Sequence, residues 1–154
     1  MIKLLSLLLF CPCMADTLNV NYGLGVLKND TSTVGFLSIG HQRALYDSLH
    51  SRFEGGVWTD SYSNRHSSPF SDISLGLHVD NNSVYAESYH GIGFIMVPDS
   101  MLGGPFQFFH SLGVGMVGTN KSMLGVEFRH ISSGGIYTPN QGRNFFTMKL
   151  GFNL

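Results

Sequence analysis

The chain has 154 residues, of which 43% are hydrophobic and 12% charged, and its formal net charge is −1. It has no run of lysine and arginine that would form a basic patch, which argues against nucleic acid as a partner. Both cysteines, Cys11 and Cys13, lie within the first fifteen residues. Residues 16–154 therefore have no disulfide and no thiol chemistry.

Residues 1–15 have the features of a secretory signal peptide. Lys3 supplies a positive charge, residues 4–10 form a short apolar run, and Ala15 precedes the polar Asp16. The apolar run is too short to span a membrane as a helix. We therefore expect cleavage after Ala15 and export of a single domain, residues 16–154.

The rest of the sequence predicts strands and no helix. Apolar and polar residues alternate with the period of two that a strand gives its two faces. Segments rich in Gly, Asn, Asp and Pro separate the alternating runs, and Asp80-Asn81-Asn82 and Gly118-Thr119-Asn120 predict short turns. The eight predicted strands are residues 17–27, 33–44, 51–60, 72–80, 83–96, 105–118, 122–133 and 144–154.

The last strand alternates most clearly. One face is apolar from Phe146 to Leu154, and the other carries Lys149. Eight such strands, of about 9–12 residues each, suit an all-β, antiparallel, up-and-down transmembrane β-barrel. In that barrel Glu127, Arg129 and Lys149 would point inward on neighbouring strands and form ion pairs in the lumen.

Periodicity alone does not say which face of each strand points inward. A soluble, lipocalin-like carrier barrel would bury the apolar face and expose the polar one. The predicted signal peptide, the low charge and the apolar last strand favour the membrane barrel. Aromatic residues near predicted strand ends fit an interfacial aromatic girdle or, equally, ordinary packing; they are Trp58, Tyr62, Phe106, Phe108 and Phe109.

A histidine and a serine share one face near the end of the seventh strand. His130 and Ser132 are two residues apart, and histidine is the usual base that takes a proton from a nucleophilic serine near neutral pH. A third group should orient the imidazole. Asn144 opens the next strand with the parity that puts it on the same side. Polar residues on a lipid-facing wall are costly unless they are used or lie near the interface.

Two glycines after Ser132 extend this candidate site. Gly134 and Gly135 can turn the backbone sharply and present N–H groups to an oxyanion, together with Ser133. Other histidines show no spacing typical of metal ligands; they are His41, His66, His78, His90 and His110. We therefore predict no metal and no cofactor.

At these residues the sequence resembles the outer-membrane lipid A 3-O-deacylases. That family has a His-x-Ser-Asn-Gly-like segment, then Pro-Asn-x-Gly, then an acidic residue opening the last strand. This chain has residues 130–136 as His-Ile-Ser-Ser-Gly-Gly-Ile, residues 139–142 as Pro-Asn-Gln-Gly, and then Asn144. The resemblance covers residues 124–154; elsewhere the chain matches in strand count and length.

The resemblance implies an eight-stranded outer-membrane barrel that removes an ester-linked 3-hydroxyacyl chain from lipopolysaccharide. It gives His130 the role of base and Ser132 that of nucleophile. Two positions depart from the family: Asn144 stands in place of the acidic residue, and Ser133 in place of the asparagine associated with the oxyanion. A weakened enzyme would follow from the missing negative charge.

The function expected is therefore an esterase like lipid A 3-O-deacylase in the Gram-negative outer membrane. Its partners would be lipid A as substrate and the surrounding outer-membrane lipid, with a homodimer left open. The alternative is a non-enzymatic outer-membrane barrel with a structural or surface-interaction role, which the loss of the acidic residue favours.

Overall fold

A computed structural model describes residues 16–27, 30–60, 67–98 and 101–154, which form eight strands. None of these residues lies in a helix long and apolar enough to cross a bilayer. The predicted signal peptide lies outside the described residues and stays a prediction. The strands are β1 (Asp16–Leu27), β2 (Asp30–Tyr46), β3 (Leu49–Asp60), β4 (Ser67–Asp80), β5 (Val84–Ile95), β6 (Phe106–Val117), β7 (Met123–Ser132) and β8 (Arg143–Asn153).

Each strand pairs with the next in sequence, antiparallel, and β8 pairs with β1 to close the barrel. The predicted fold class is confirmed. Three tight connections, after β2, β4 and β6, define the short-turn end. The connections β5–β6 and β7–β8 belong to the opposite, long-loop end. Asn81 stabilises the turn after β4, because its Oδ1 accepts hydrogen bonds from the N–H groups of Ser83 (3.1 Å) and Val84 (3.0 Å).

The register tilts the strands around the barrel. A line of directly paired residues that begins at Leu18, near the short-turn end of β1, passes Phe53 in β3 and reaches Ser132 at the long-loop end of β7. Moving from β1 to β8 along such a line therefore climbs toward the long-loop end. This slope fixes the relative depth of residues that are neighbours across strands.

The outer wall is apolar. Outward side chains such as Phe146 and Met148 are 61% and 58% exposed, as predicted for the last strand, and similar residues line β3 to β7. Most polar residues of the same strands point inward. This orientation is the opposite of a soluble carrier barrel, and an apolar outer band is the surface that a transmembrane barrel presents to lipid.

The lumen is polar in its middle. The Arg129 guanidinium binds both carboxylate oxygens of Glu54, one of them at 2.9 Å, and Oε1 of Glu127 at 2.6 Å. Arg52 donates to Glu127 at 2.7 Å, and Lys149 pairs with Glu87. The ion-paired lumen predicted from Glu127, Arg129 and Lys149 is confirmed.

Toward the long-loop end the lumen is filled by aromatic rings. Trp58 and Phe109 are buried there, so their assignment to an interfacial girdle is wrong. Tyr62 lies outside the residues that the structure describes. A large aromatic ring can pack on either face of a strand, and the register decides whether that face points to the lumen or to the outside. Phe36, Phe70 and Phe145 complete the packing, with ring centroids 4.9–5.8 Å apart.

The fourth strand begins five residues earlier than predicted. Pro69 lies outside the predicted strand, residues 72–80, but in the structure it pairs with Val57 in the β3–β4 ladder. Proline lacks an N–H, yet its carbonyl still accepts a hydrogen bond from the N–H of Met96 at 2.9 Å. This bond ties the start of the β5–β6 connection to the wall.

Candidate active site on the outer wall

Four polar side chains form a continuous line across the apolar outer wall. His90 in β5 lies directly opposite His110 in β6, His110 opposite His130 in β7, and His130 opposite Asn144 in β8. We call these four residues the polar row. Its β8 end lies one residue from the long-loop end of that strand, and its β5 end lies five residues below Ile95.

The pair at the upper end of the row has a defined hydrogen-bonding direction. His130 Nδ1 lies 2.7 Å from Asn144 Oδ1. An amide oxygen only accepts, so Nδ1 carries the hydrogen and Nε2 keeps its lone pair. Asn144 therefore holds His130 in the tautomer that a general base needs. The predicted neighbours are brought together by the β7–β8 register.

Ser132 is the last residue of β7 and lies on the same face as His130. It is half-buried, and its direct partner in β6 is Phe108. Within the described part of the chain its hydroxyl makes no hydrogen bond, including none to His130. Nucleophile and base often come into contact only when substrate is bound. The structure thus places the candidate base and the candidate nucleophile on one face, without a hydrogen bond between them.

The connection from β7 to β8 is folded around Ser133. The buried Ser133 donates its N–H to Asn140 Oδ1 (3.0 Å), and its Oγ accepts from the N–H of Tyr137 (3.4 Å). Ser133 therefore braces the loop with the group that was expected to face an oxyanion. Gly134 and Gly135 follow with φ of 60° and 88°, a left-handed conformation that favours glycine. Among the described residues their N–H groups have no acceptor.

Gly142 closes against the imidazole from the other side of the loop. Its φ is 71°, and a Cβ built on it would lie 2.8 Å from His130 Cε1 and 3.5 Å from Nε2. A side chain at this position would press on the ring. The glycine of the Pro-Asn-x-Gly segment thus has a steric role beside the candidate base.

The β5–β6 connection supports the same loop. Met101 accepts a hydrogen bond from the N–H of Gln141 at 2.9 Å, which ties the two connections together. The buried Gln107 donates its side-chain amide to the carbonyls of Leu102 (3.3 Å) and Gly104 (2.6 Å). These two connections are therefore hydrogen-bonded to each other above the polar row.

Sequence reasoning missed His90 and His110. Their Nδ1 atoms lie 2.8 Å apart, and the rings of His110 and His130 are nearly parallel, with centroids 6.4 Å apart. The two histidines are twenty residues apart in sequence. Their alignment depends on the β5–β6 register across a long connection. Matching parity on predicted neighbouring strands was the one signal that could have linked them.

The sequence of this chain is similar to that of a known protein family. A family model described as lipid A 3-O-deacylase (PagL) matches residues 17–153. No individual curated protein matches the chain by sequence.

Several solved barrels share the architecture. The crystal structure of the outer membrane enzyme PagL is 17% identical, with a TM-score of 0.63 over 88% of this chain and 99% of that one. Neisserial surface protein A is 11% identical, with a TM-score of 0.64 over 92% and 97%. The N-terminal barrel of Pseudomonas aeruginosa OprF is 12% identical, with a TM-score of 0.60 over 91% and 97%. At these identities the likeness shows the fold alone.

Proposed function

The chain belongs to the lipid A 3-O-deacylase (PagL) family, and we propose that it hydrolyses an ester-linked 3-hydroxyacyl chain of lipopolysaccharide by a serine mechanism. The observation that carries this proposal is the bond from His130 Nδ1 to Asn144 Oδ1. It leaves Nε2 able to accept a proton on the face that carries Ser132, on a wall whose side chains are mostly apolar.

The chemistry proposed is acyl transfer in two steps. Ser132 Oγ attacks the ester carbonyl while His130 Nε2 takes its proton. The tetrahedral intermediate collapses, the sugar oxygen leaves with the proton from His130, and the acyl chain stays on Ser132. A water molecule then attacks, again with His130 as base, and the free 3-hydroxy fatty acid departs.

The N–H groups of Gly134 and Gly135 would stabilise the oxyanion. They lie two and three residues after Ser132 in the loop, and within the described residues they have no acceptor. Ser133 contributes differently, because its N–H holds Asn140 and so fixes the loop in place. Preorganised donors of this kind are worth most in a site that excludes water.

Asn144 would orient His130 without stabilising its charge. An amide oxygen accepts the Nδ1 hydrogen, but it gives no negative charge to the imidazolium that forms as Ser132 attacks. We therefore infer a slow enzyme, whose base is correctly placed but whose protonated form is less favoured than beside a carboxylate.

The site would act in the outer leaflet of the outer membrane. The long-loop end would face the cell exterior, and the row lies just below it on the lipid-facing wall. The acyl chains of lipid A would already lie against this wall, so the ester needs only to approach Ser132 laterally.

The test is release of 3-hydroxy fatty acid from lipopolysaccharide by the purified full-length protein in detergent, measured by mass spectrometry. We expect release by the wild type and almost none by Ser132→Ala. The matched control is Ser71→Ala, since Ser71 is an exposed, outward serine on β4. Undiminished release by Ser132→Ala would reject the assignment of the nucleophile.

A non-enzymatic barrel with a structural or surface-interaction role is the second candidate. It is favoured by the absence of a carboxylate beside His130 and by the Ser132 hydroxyl, which makes no hydrogen bond among the described residues. This candidate gains support if the folded wild type releases no fatty acid under the same conditions.

A further inference from the structure

The polar row continues two strands beyond the residues that the proposed mechanism uses. His110 and His90 take no part in proton transfer to Ser132, yet both point outward from the wall. The inference drawn from them rests on the proposed function, because it concerns the acyl chain of the same ester.

The two histidines lie deeper in the membrane than His130. Lines of paired residues climb from β1 to β8, so a step from β7 back to β6 descends. With strands about 4.8 Å apart and tilted by about 35–45°, each step lowers the position by about 3 Å. His110 and then His90 thus follow the path that an acyl chain takes downward from an ester held at Ser132.

The wall around the pair is apolar. Leu75 is the cross-strand partner of His90 on its far side, and Leu112 and Ile92 are exposed outward neighbours in β6 and β5. Polar side chains facing hydrocarbon are costly without partners. The Nδ1 atoms satisfy each other at 2.8 Å, but within the described residues neither Nε2 has a partner.

The positions of the hydrogens on His90 and His110 determine which chemical groups can bind to this pair. One Nδ1 must carry the hydrogen and the other must accept it, so the Nε2 of His110 is an acceptor in one arrangement and a donor in the other. A hydroxyl group matches either arrangement, whereas an ester carbonyl only accepts. At this depth, a hydroxyl on the acyl chain is the group that the pair suits best.

We propose that His110 binds the 3-hydroxyl group of the acyl chain that is released, and that His90 fixes the His110 ring through the Nδ1 bond. Ser132 and His110 are diagonal neighbours on the wall, at a spacing of about 7–8 Å. An ester carbonyl about 3 Å from Ser132 Oγ leaves the third carbon of the chain within hydrogen-bonding reach of His110. The pair thereby selects hydroxylated acyl chains over plain ones.

The experiment compares two synthetic lipid A substrates that differ only at the 3-position, one with a 3-hydroxyacyl and one with a plain acyl chain of equal length. For the wild type we expect kcat/KM to favour the hydroxylated ester by about 10-fold, the worth of one hydrogen bond made in the transition state. His110→Leu should bring the ratio to about one. His90→Leu should lower it less, because His110 remains.

Two further variants separate binding from a structural effect. His110→Gln keeps a donor and an acceptor and should retain part of the selectivity. His41→Leu is the matched control, since His41 faces outward in β2 near the short-turn end; its ratio should equal that of the wild type. Folding of every variant is checked on an SDS gel, by comparing the mobility of the unboiled protein with that of the boiled protein.

The outcomes are distinct. A wild type that hydrolyses both esters equally, or a folded His110→Leu that keeps the preference, overturns the inference and leaves the proposed function intact. A wild type that hydrolyses neither ester overturns the proposed function and the inference together.

Discussion

The lumen and the outer wall both place polar side chains in low-dielectric surroundings, and they satisfy them differently. In the lumen, Arg52 and Arg129 bind Glu54 and Glu127 from several directions, and all four side chains are buried. Each of these four charges has a partner from another strand, whereas the carboxylate oxygens of the buried Asp72 make no hydrogen bond among the described residues. Such a network holds the strands in register and leaves little capacity for a ligand.

The outer polar row is only half satisfied. His130 binds Asn144 and His90 binds His110 through Nδ1 atoms. Among the described residues, the Nε2 atoms and the Ser132 hydroxyl have no hydrogen-bond partner. Buried or lipid-facing polar groups usually find partners. The difference indicates that the paired lumen charges serve the fold, and that the outer groups are available to a partner from outside the chain.

The largest effect should come from the two groups proposed as nucleophile and base. His130→Ala and Ser132→Ala should each lower kcat by about 10⁴-fold or more, and the double variant by little more, since the two act as a unit. Thermal stability should stay near that of the wild type. Additive losses of activity would contradict the joint action of His130 and Ser132. A loss of folding that parallels the loss of activity would show that these residues, like the lumen charges, serve the fold.

A lumen charge should show the reverse behaviour. Arg129→Met leaves the buried Glu54 without its bidentate partner and should lower the free energy of unfolding by about 3–5 kcal/mol. The neighbouring, outward Phe128→Leu is the matched control and should change it by much less. The measurement is the urea concentration at which half of the protein loses the SDS-gel mobility of the folded, unboiled barrel. A stable Arg129→Met would show that the network is dispensable to the fold.

Much of this contrast could be predicted from the sequence where it depends on local pattern. Alternation along β8 gave the outward face of Phe146 and Met148, and the same parity put Asn144 on the side of His130. The resemblance to a known family singled out these two residues as a pair.

Features that depend on the exact strand register could not be predicted. The contact between His90 and His110 requires the register of β5 against β6, whereas alternation gives only the face on which each histidine lies. Trp58 and Phe109 point inward because the register places them on the lumen faces of β3 and β6. An aromatic ring fits the lumen or the lipid interface equally well, so residue type alone does not predict the direction. The bond from Ser133 to Asn140 depends on a loop conformation with two consecutive left-handed glycines.

A gain of activity would sharpen the contrast further. Asn144→Glu adds the charge that the row lacks, and the change from Asp to Asn in a serine triad costs about 10⁴ in rate. With the ring already oriented by Asn144, we expect an increase in kcat of about 100-fold. The half-buried position near the strand end should tolerate the charge. A folded but slower Asn144→Glu would contradict the orienting role of Asn144.

The smallest effect concerns the space beside His130. Gly142→Ala places a methyl group against the imidazole Cε1, and a shift of the ring of less than 1 Å should lower kcat by about 10-fold, since a full 1 Å displacement costs about 100-fold. Alanine also strains a backbone with φ of 71°. Gly142→Asn separates the two causes, because asparagine tolerates the left-handed conformation but keeps the Cβ. If the ring is displaced, both variants lose activity alike while Gly142→Asn is the more stable protein. If Gly142→Asn instead restores the rate, backbone strain and not contact with His130 explains the loss.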